Sequence, residues 1–221
     1  MISDTRRSMM LATGAVLVVA GAAGLPISAA AQAPALREGK DYRLVRPAQP
    51  TDVPAGSIEA IEFFWYGCPH CNSLEPALEQ WVGKLPDDVV FRRIHVPFGE
   101  RRHQQLFYTL ESMGKEEELH KAVFNAIHVD RDRLDTVDRM VAMLSKHGVD
   151  EKQFRDTFDS FAVRTKMRRA AQVVDAYGVD GVPAMAIAGK YYTAPSMVGS
   201  NGAALRVMDQ LIDIERNAAK K

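Results

Sequence analysis

Cysteine is scarce in this chain: its 221 residues hold only two, Cys68 and Cys71. No further pair exists to build a framework of disulfide bonds, so the fold has to rest on a hydrophobic core. A disulfide between residues this close closes a very short loop, and the stabilisation that a disulfide gives grows with the length of the loop. The pair therefore suits a bond that opens and closes better than one that holds a fold together.

An excess of charge of either sign is also absent. Lys and Arg together number 28, and so do Asp and Glu. A nucleic-acid-binding surface would show as an excess of basic residues, so we expect no nucleic-acid partner. With 47% hydrophobic and 25% charged residues, the composition is that of a soluble globular protein. The length allows one domain, or one domain that carries a large insertion.

The long uncharged run of the sequence lies at its amino terminus. Met9 to Leu25 carries no charge, follows Arg6 and Arg7, and precedes the small residues 29–31. This order is typical of a signal peptide, which we place at residues 1–31. A permanent membrane anchor is the alternative, but the run is rich in Gly and Ala and slightly short for a spanning helix.

We expect cleavage after Ala31, because a cut after Ala33 would leave Pro34 next to the scissile bond. The segment from Thr5 to Met10 loosely resembles a twin-arginine signal, so the export route stays open between the general secretory and twin-arginine pathways. Export by either route would place the cysteine pair in an oxidising compartment, where disulfide chemistry persists.

The hydrophobic pattern predicts an α/β protein. Segments rich in β-branched and aromatic residues predict strands at 42–45, 57–66, 89–96, 184–188 and 191–193. Apolar residues at three-to-four-residue spacing predict helices at 69–84, in four stretches between 99 and 161, at 161–177 and at 202–217. We therefore expect a domain with a mixed central sheet from residues 32–98 and 162–221, and an inserted all-helical subdomain at 99–161. Pro76 lies inside the first helix and is expected to kink it. Asp150 is a candidate N-cap of the last of the four stretches between 99 and 161.

The cysteine motif Cys68-Pro69-His70-Cys71 lies at a predicted strand-to-helix turn, and Pro69 fits the first helical turn. Thiolate is the nucleophile of disulfide exchange, and the free N–H groups and dipole of a helix N-terminus favour negative charge on Cys68. His70 can add positive charge or a hydrogen bond. Stabilising this thiolate stabilises the reduced form and makes the disulfide a stronger oxidant. Cys71, one turn further in, should be more buried and act as the resolving thiol that attacks a mixed disulfide of Cys68.

Other uses of two cysteines fit less well. A zinc site needs about four ligands, and no two of the six histidines have the His-x₃₋₅-His spacing. Attachment of a c-type haem needs His after the second cysteine, and position 72 is Asn. An inert structural disulfide remains as an alternative. We expect no metal and no cofactor beyond a redox-active Cys68–Cys71 disulfide.

Two segments carry a family resemblance. EFFWYGCPHC at 62–71 resembles the active-site segment of the DsbA family of thioredoxin-fold oxidases, and Gly181-Val182-Pro183-Ala184 resembles its cis-proline loop. The motifs follow the family's order over residues 40–217. The resemblance implies a thioredoxin-like fold with a helical insertion. It also implies a periplasmic oxidoreductase that donates its disulfide to folding secreted polypeptides through a Cys68 mixed disulfide.

The same resemblance implies partners and further site residues. A membrane quinone-linked partner of the DsbB type would reoxidise the protein, which we expect to be a monomer. The Val182–Pro183 bond would be cis, with Pro183 against the disulfide. The backbone of Val182 would pair with an extended substrate segment, which is a strand-addition mode of peptide recognition.

Glu62 has two interpretations. From its strand alone it is as readily a solvent-facing charge as a buried group, whereas the family places a buried, proton-handling glutamate here, with a pKa raised by desolvation. The family also tends to have a lysine nearby, and Arg93 occupies that position. Since arginine keeps its proton, we expect Arg93 to be a fixed charge partner of Glu62 rather than part of a proton relay.

Aromatic and histidine residues near the motif are assigned more simply. We expect His95 and Trp65 to be structural, while Tyr66 is equally compatible with the core and with an exposed docking groove.

The rival functions are a disulfide isomerase, a reductase, and a chaperone that uses the helical subdomain. The segment 32–57 is too short for the amino-terminal dimerisation domain of periplasmic isomerases, and the Pro-His pair between the cysteines argues against a reductase.

Overall fold

A mixed five-stranded sheet forms the centre of the computed structural model, which describes residues 35–219. Its strands are β1 (Arg43–Leu44), β2 (Ile58–Phe64), β3 (Val89–His95), β4 (Ala184–Ile187) and β5 (Tyr191–Thr193). The order across the sheet is β1-β5-β4-β2-β3. β2 and β3 are parallel, and the other neighbours are antiparallel. The mixed sheet predicted from the sequence is therefore confirmed. The signal peptide predicted at residues 1–31 lies outside the described residues.

Eight α-helices lie in the described part of the chain. They are α1 (Pro69–Val82), α2 (Arg101–Ser112), α3 (Glu116–His128), α4 (Val137–Leu144), α5 (Glu151–Phe158), α6 (Phe161–Tyr177), α7 (Pro195–Val198) and α8 (Asn201–Ala218). The four amphipathic stretches predicted between 99 and 161 correspond to α2–α5. The single turn α7 has no predicted counterpart, because four residues are too short to show a helical period. Helix α1 continues through Pro76, and its kink stays a prediction.

Two hydrophobic clusters hold helices against the sheet. The first joins Ala60 of β2 to Leu74 and Leu78 of α1 and to Met208 of α8. The second and larger one joins Phe63 of β2 to α6 and to the apolar faces of α2–α5. Because the central strand β2 is covered on both faces, all seven of its residues are buried. The helices α2–α5 thus share one core with the sheet, and the exact bounds of an inserted subdomain stay a prediction.

The helices begin where the sequence supplies a side-chain acceptor. The side chains of Thr136, Asp150, Ser160 and Ser200 each accept a hydrogen bond from a backbone N–H in the first turn of α4, α5, α6 and α8. Such caps satisfy N–H groups that lack a partner within the helix. The cap predicted at Asp150 is confirmed.

Gly189 holds the turn between β4 and β5 against the segment that leads to β2. Its carbonyl accepts a hydrogen bond of 2.8 Å from the backbone N–H of Gln49. Its φ is +69°, a region that favours glycine. A Cβ atom at this position would collide with the carbonyl oxygen of Gln49. Both the backbone conformation and the close approach therefore require glycine here.

We expect Gly189→Ala to destabilise the protein more than Gly114→Ala. Gly114 has a similar φ of +66° but no atom within 4 Å of an added Cβ, so its substitution carries the backbone strain alone, about 1–2 kcal/mol. The collision at Gly189 should add about 1–3 kcal/mol. Urea unfolding of both variants measures the difference. Equal free energies of unfolding for the two variants would show that the backbone at Gln49 moves away from the added Cβ without destabilising the protein.

Candidate active site

Cys68 is the N-cap residue of α1. Strand β2 ends at Phe64, a short turn follows, and the extended backbone of Cys68 (φ −84°, ψ 116°) leads into Pro69 at the first helical position. The Cys68 Sγ accepts a hydrogen bond from the backbone N–H of Cys71 at 3.4 Å. Sulfur thus takes the place that a Ser or Asp oxygen has in other caps, where negative charge is favoured.

The two cysteines, both free thiols in the structure, differ in burial. Cys68 is 6% exposed, whereas Cys71 has no exposed surface. The prediction that Cys71 is the more buried of the two is confirmed. Since a second protein can reach a sulfur atom only from the surface, Cys68 is the cysteine that a partner thiol or disulfide can meet.

Hydrogen bonding between the two thiols lowers the pKa of Cys68 and raises the pKa of Cys71. The thiol of Cys71, which donates to the Cys68 sulfur, is the largest cause that lowers the pKa of Cys68 to about 6. Burial opposes this shift, while the backbone N–H groups of Cys71 and His70 add to it, and the charge of His70 contributes least. The same hydrogen bond, burial and the nearby Glu62 raise the pKa of Cys71. His70 is exposed and matters less to the thiolate than its place in the motif indicates.

The loop before β4 lies beside the exposed cysteine. The Val182–Pro183 bond is cis, as predicted, and the Cys68 Sγ lies 3.6 Å from the carbonyl oxygen of Val182. A groove of about 410 Å³ opens next to this contact. His70, Val182 and Pro183 line it together with Tyr192. The cysteine motif and the Val-Pro loop, 111 or more residues apart in sequence, are thus brought to one surface.

Glu62 is fully buried, so its interpretation as a solvent-facing charge is wrong. It lies on β2 in register with Arg93 on β3, and the Arg93 Nε is 3.3 Å from its Oε2. The angle of this contact is not that of a hydrogen bond, and neither carboxyl oxygen has a hydrogen-bond partner among the described residues. Burial, and then the charge of Glu75, raise the pKa of Glu62 to about 8, although Arg93 opposes them.

Three further ionisable side chains surround Arg93, and sequence reasoning did not single them out. Arg93 Nη2 donates a hydrogen bond of 3.4 Å to Glu75 Oε2, and its Nη1 lies 3.8 Å from Glu116 Oε1. His120 lies between these two carboxylates. The sequence carries a weak signal for them, because Glu75 follows Cys71 by one helical turn and Glu116 precedes His120 by another. We call Glu62, Glu75, Arg93, Glu116 and His120 the buried charge cluster.

Tyr66 is a fully buried residue that three histidines hold. Its N–H donates to His95 Nε2 at 3.2 Å, His128 Nε2 donates to its carbonyl oxygen at 2.7 Å, and its hydroxyl lies 3.1 Å from His120 Nδ1. Burial lowers the pKa of His95 to about 3, so His95 is neutral and structural, as expected. These contacts anchor the turn two residues before Cys68, and Tyr66 belongs to the core rather than to a docking surface.

Trp65 is partly buried and packs on two glycines. A Cβ at Gly99 would come within 2.6 Å of the indole, and one at Gly67 would collide with it. The indole also stacks on His103, with ring centroids 6.3 Å apart. Trp65 thus closes the edge of the larger hydrophobic cluster, in keeping with the structural role expected for it.

Two classes of feature are not found in residues 35–219. No group of three or more His, Cys, Asp or Glu side chains there is arranged to hold a metal ion. No helix in the same range has both the length and the apolar character needed to cross a membrane.

Comparison with known proteins places this chain in a family. Residues 60–204 match the family model of the DSBA-like thioredoxin domain. The chain is 41% identical over 214 residues to the thiol:disulfide interchange protein DsbA of Azotobacter vinelandii, covering 94% of this chain and 98% of that protein. It is 44% identical over 194 residues to the protein of the same name from Pseudomonas aeruginosa strain PAO1, covering 87% and 92% of the two chains.

A solved structure agrees with these sequence matches. The crystal structure of Pseudomonas aeruginosa DsbA superposes with a TM-score of 0.79 at 44% identity, covering 83% of this chain and 96% of that chain. The thioredoxin-like fold with helices beside the sheet, inferred from the motifs, is thereby confirmed. With its matched domain, its relatives over nearly the whole length and its cysteine pair at a helix N-terminus, the chain belongs to the DsbA family of thiol:disulfide oxidoreductases.

Proposed function

We propose that this protein is a periplasmic oxidant that donates the Cys68–Cys71 disulfide to folding secreted polypeptides. The observation that carries the proposal is the unequal environment of the two sulfurs. The sulfur of Cys68 is hydrogen-bonded at a helix N-terminus, near the surface, whereas Cys71 is buried beside Glu62. Stabilisation of the Cys68 thiolate favours the reduced form of the pair, so the disulfide form is readily reduced and acts as an oxidant.

In the donating direction a substrate thiolate attacks the Cys68 sulfur of the enzyme disulfide. The bond between Cys68 and Cys71 breaks, Cys71 leaves as a thiolate, and the protonated Glu62 carboxyl supplies the proton that this buried sulfur needs. A second substrate thiolate then attacks the substrate sulfur of the mixed disulfide and expels Cys68 as a stable thiolate. The substrate loses two electrons and gains a disulfide, and the enzyme gains the two electrons as a dithiol.

In the reoxidising direction Cys71 acts as the resolving thiol. The Cys68 thiolate attacks a disulfide of the partner, and Cys71 then attacks the Cys68 sulfur of the mixed disulfide, while Glu62 in its ionised form takes the Cys71 proton. The two electrons pass to the partner, which by family resemblance is a membrane quinone-linked reoxidase of the DsbB type. The cycle needs no cofactor besides the cysteine pair.

The groove beside Cys68 suits an extended substrate. Val182 and Pro183 line it and leave a backbone edge next to the reactive sulfur. A peptide that pairs with Val182 by strand addition would be recognised through its backbone, without strong selection of sequence. We assign these two residues to substrate binding, Cys68 and Cys71 to catalysis, and Pro69, His70 and Glu62 to tuning of the redox chemistry.

The setting of this reaction follows from the amino terminus and the family. Removal of a signal peptide at 1–31 would release the protein into the periplasm, where disulfides persist. We propose that it acts there as a monomer on polypeptides, with no nucleic-acid partner.

Cys71→Ala should trap substrates. Without the resolving thiol, a mixed disulfide between Cys68 and a protein partner has no internal route to resolution. Incubation of the variant with a reduced, unfolded protein that has a single cysteine, together with an external oxidant, should give adducts on a non-reducing gel, which a reductant releases. Cys68→Ser is the matched control and should give none. Recovery of free Cys71→Ala protein alone, or of adducts with Cys68→Ser, would contradict the assigned order of attack.

Glu62→Gln should make the reduced protein more stable at neutral pH. Between the usual pKa of 4.5 and the folded-state pKa of about 8, the unfolded chain releases a proton that folded Glu62 keeps. Wild-type stability therefore falls as pH rises through this window. The variant has no ionisable group at this position and does not lose this stability. Its free energy of unfolding at pH 7.5 should exceed that of wild type by on the order of 1–3 kcal/mol.

Urea unfolding at pH 4.5 and pH 7.5 measures this effect. Glu79→Gln, on the exposed side of α1, is the matched control and should leave the pH dependence unchanged. If wild type and Glu62→Gln lose the same stability between the two pH values, Glu62 is not protonated in the folded protein.

A further inference from the structure

A buried histidine that the reaction scheme does not use lies behind the active-site disulfide. His120 of α3 is 3% exposed, and both of its ring nitrogens face carboxylates. Its Nε2 is 3.3 Å from Glu75 Oε1, and its Nδ1 is 3.2 Å from Glu116 Oε1. Phe64 and Phe124 pack against the ring with centroids 5.1 Å away. An imidazole held between two carboxylates in apolar surroundings is favoured as the cation.

The net charge of the buried charge cluster is zero only when two protons are bound in addition to the one that Arg93 always carries. Three carboxylates face one guanidinium, at 3.3 Å for Glu62, 3.4 Å for Glu75 and 3.8 Å for Glu116. With His120 neutral and all carboxyls ionised, the net charge is −2. A proton on His120 brings it to −1, and a second proton, on Glu62, brings it to zero. A buried cluster of this kind is costly unless its charges are paired.

We propose that His120 carries a positive charge in this cluster and is a positioning residue that acts through Glu62, setting how readily the Glu62 carboxyl gives and takes the proton of Cys71. The inference rests on the proposed function of Glu62 as the proton donor and acceptor of Cys71. The imidazolium favours the ionised form of Glu62, and its loss leaves Glu62 protonated to higher pH.

Ionisable groups from four structural elements and one turn face His120. They are Glu62 of β2, Tyr66 in the turn after it, Glu75 of α1, Arg93 and His95 of β3, and Glu116 of α3. Burial lowers the pKa of His120, but the close contacts with the Glu116 and Glu75 carboxylates outweigh it, so the pKa is raised overall. His120 in turn lowers the pKa of Glu62. The electrostatic effects thus run in the direction that the geometry indicates.

Proton exchange of His120 with solvent has a route through Glu116. The Glu116 side chain is 19% exposed and its Oε1 contacts His120 Nδ1. Arg93 lies between Glu62 and Glu75, and arginine keeps its proton, so the proton of His120 does not continue along these contacts to Glu62. His120 therefore acts on Glu62 through its charge rather than by handing over a proton.

His120→Gln tests the inference, with the exposed His147→Gln as the matched control. The glutamine removes the charge and keeps an amide that can hydrogen-bond the carboxylates. Infrared titration of the reduced protein reads the protonated carboxyl of Glu62, identified by its loss in Glu62→Gln. His120→Gln should raise the midpoint by about one pH unit, and His147→Gln should leave it unchanged. An unchanged midpoint in a folded His120→Gln protein would overturn the inference.

A second measurement uses the wild-type protein and does not depend on the variant folding. The NMR chemical shifts of the imidazole nitrogens of His120 should be those of imidazolium at pH 7. A neutral ring at pH 7 would overturn the inference. Both readouts report proton occupancy rather than disulfide transfer, so they stand apart from the proposed function. That function fails instead if Glu62→Gln leaves unchanged the rate at which Cys71 resolves a mixed disulfide.

Discussion

One hydrogen-bonded position, the Cys68 sulfur at the N-cap of α1, connects the fold of this protein with its chemistry. The Cys71 N–H that caps the helix on this sulfur, at 3.4 Å, also stabilises negative charge on it. Strand β2 and the turn held by Tyr66 bring Cys68 to this place, and the loop at Val182 meets it from the other side. The groove lined by His70, Val182 and Pro183 opens where these elements converge.

Burial works in the opposite direction one helical turn away. Cys71 and Glu62 have no exposed surface, and burial raises the pKa of each. A buried carboxyl without a hydrogen bond costs stability, and such costs are concentrated at functional sites. Here the same burial raises the pKa of Glu62 to about 8, so this carboxyl can exchange a proton near neutral pH with the nearby Cys71 sulfur. The asymmetry between a stable thiolate at Cys68 and an unfavourable one at Cys71 gives disulfide transfer its direction.

Short-range patterns in the sequence predicted most of the fold and the reactive pair. The strand before the motif, the helix after it and the cap at Asp150 depend on residues a few positions apart, and each was predicted close to its observed place. The period-two pattern could not decide the side on which Glu62 lies, because a central strand that is covered on both faces buries every residue. Tyr66 was undecided for a different reason: its histidine partners lie 29, 54 and 62 residues further along the chain.

The buried charge cluster shows what sequence reasoning misses. Glu75, Glu116 and His120 are ordinary polar positions of amphipathic helices until β3 brings Arg93 between them. The weight given to His70 was likewise too large: the motif places it beside Cys68, but its side chain is exposed, and the thiol of Cys71 has the larger effect on the pKa of Cys68.

The reduction potential of the Cys68–Cys71 pair tests the central claim most directly. Equilibration of the protein with mixtures of reduced and oxidised glutathione, followed by counting of free thiols, measures it. If preferential stabilisation of the Cys68 thiolate makes the disulfide an oxidant, the potential lies above that of the glutathione couple, and the dithiol form predominates in balanced mixtures. A potential near the value of about −270 mV that is typical of thioredoxin would contradict the account.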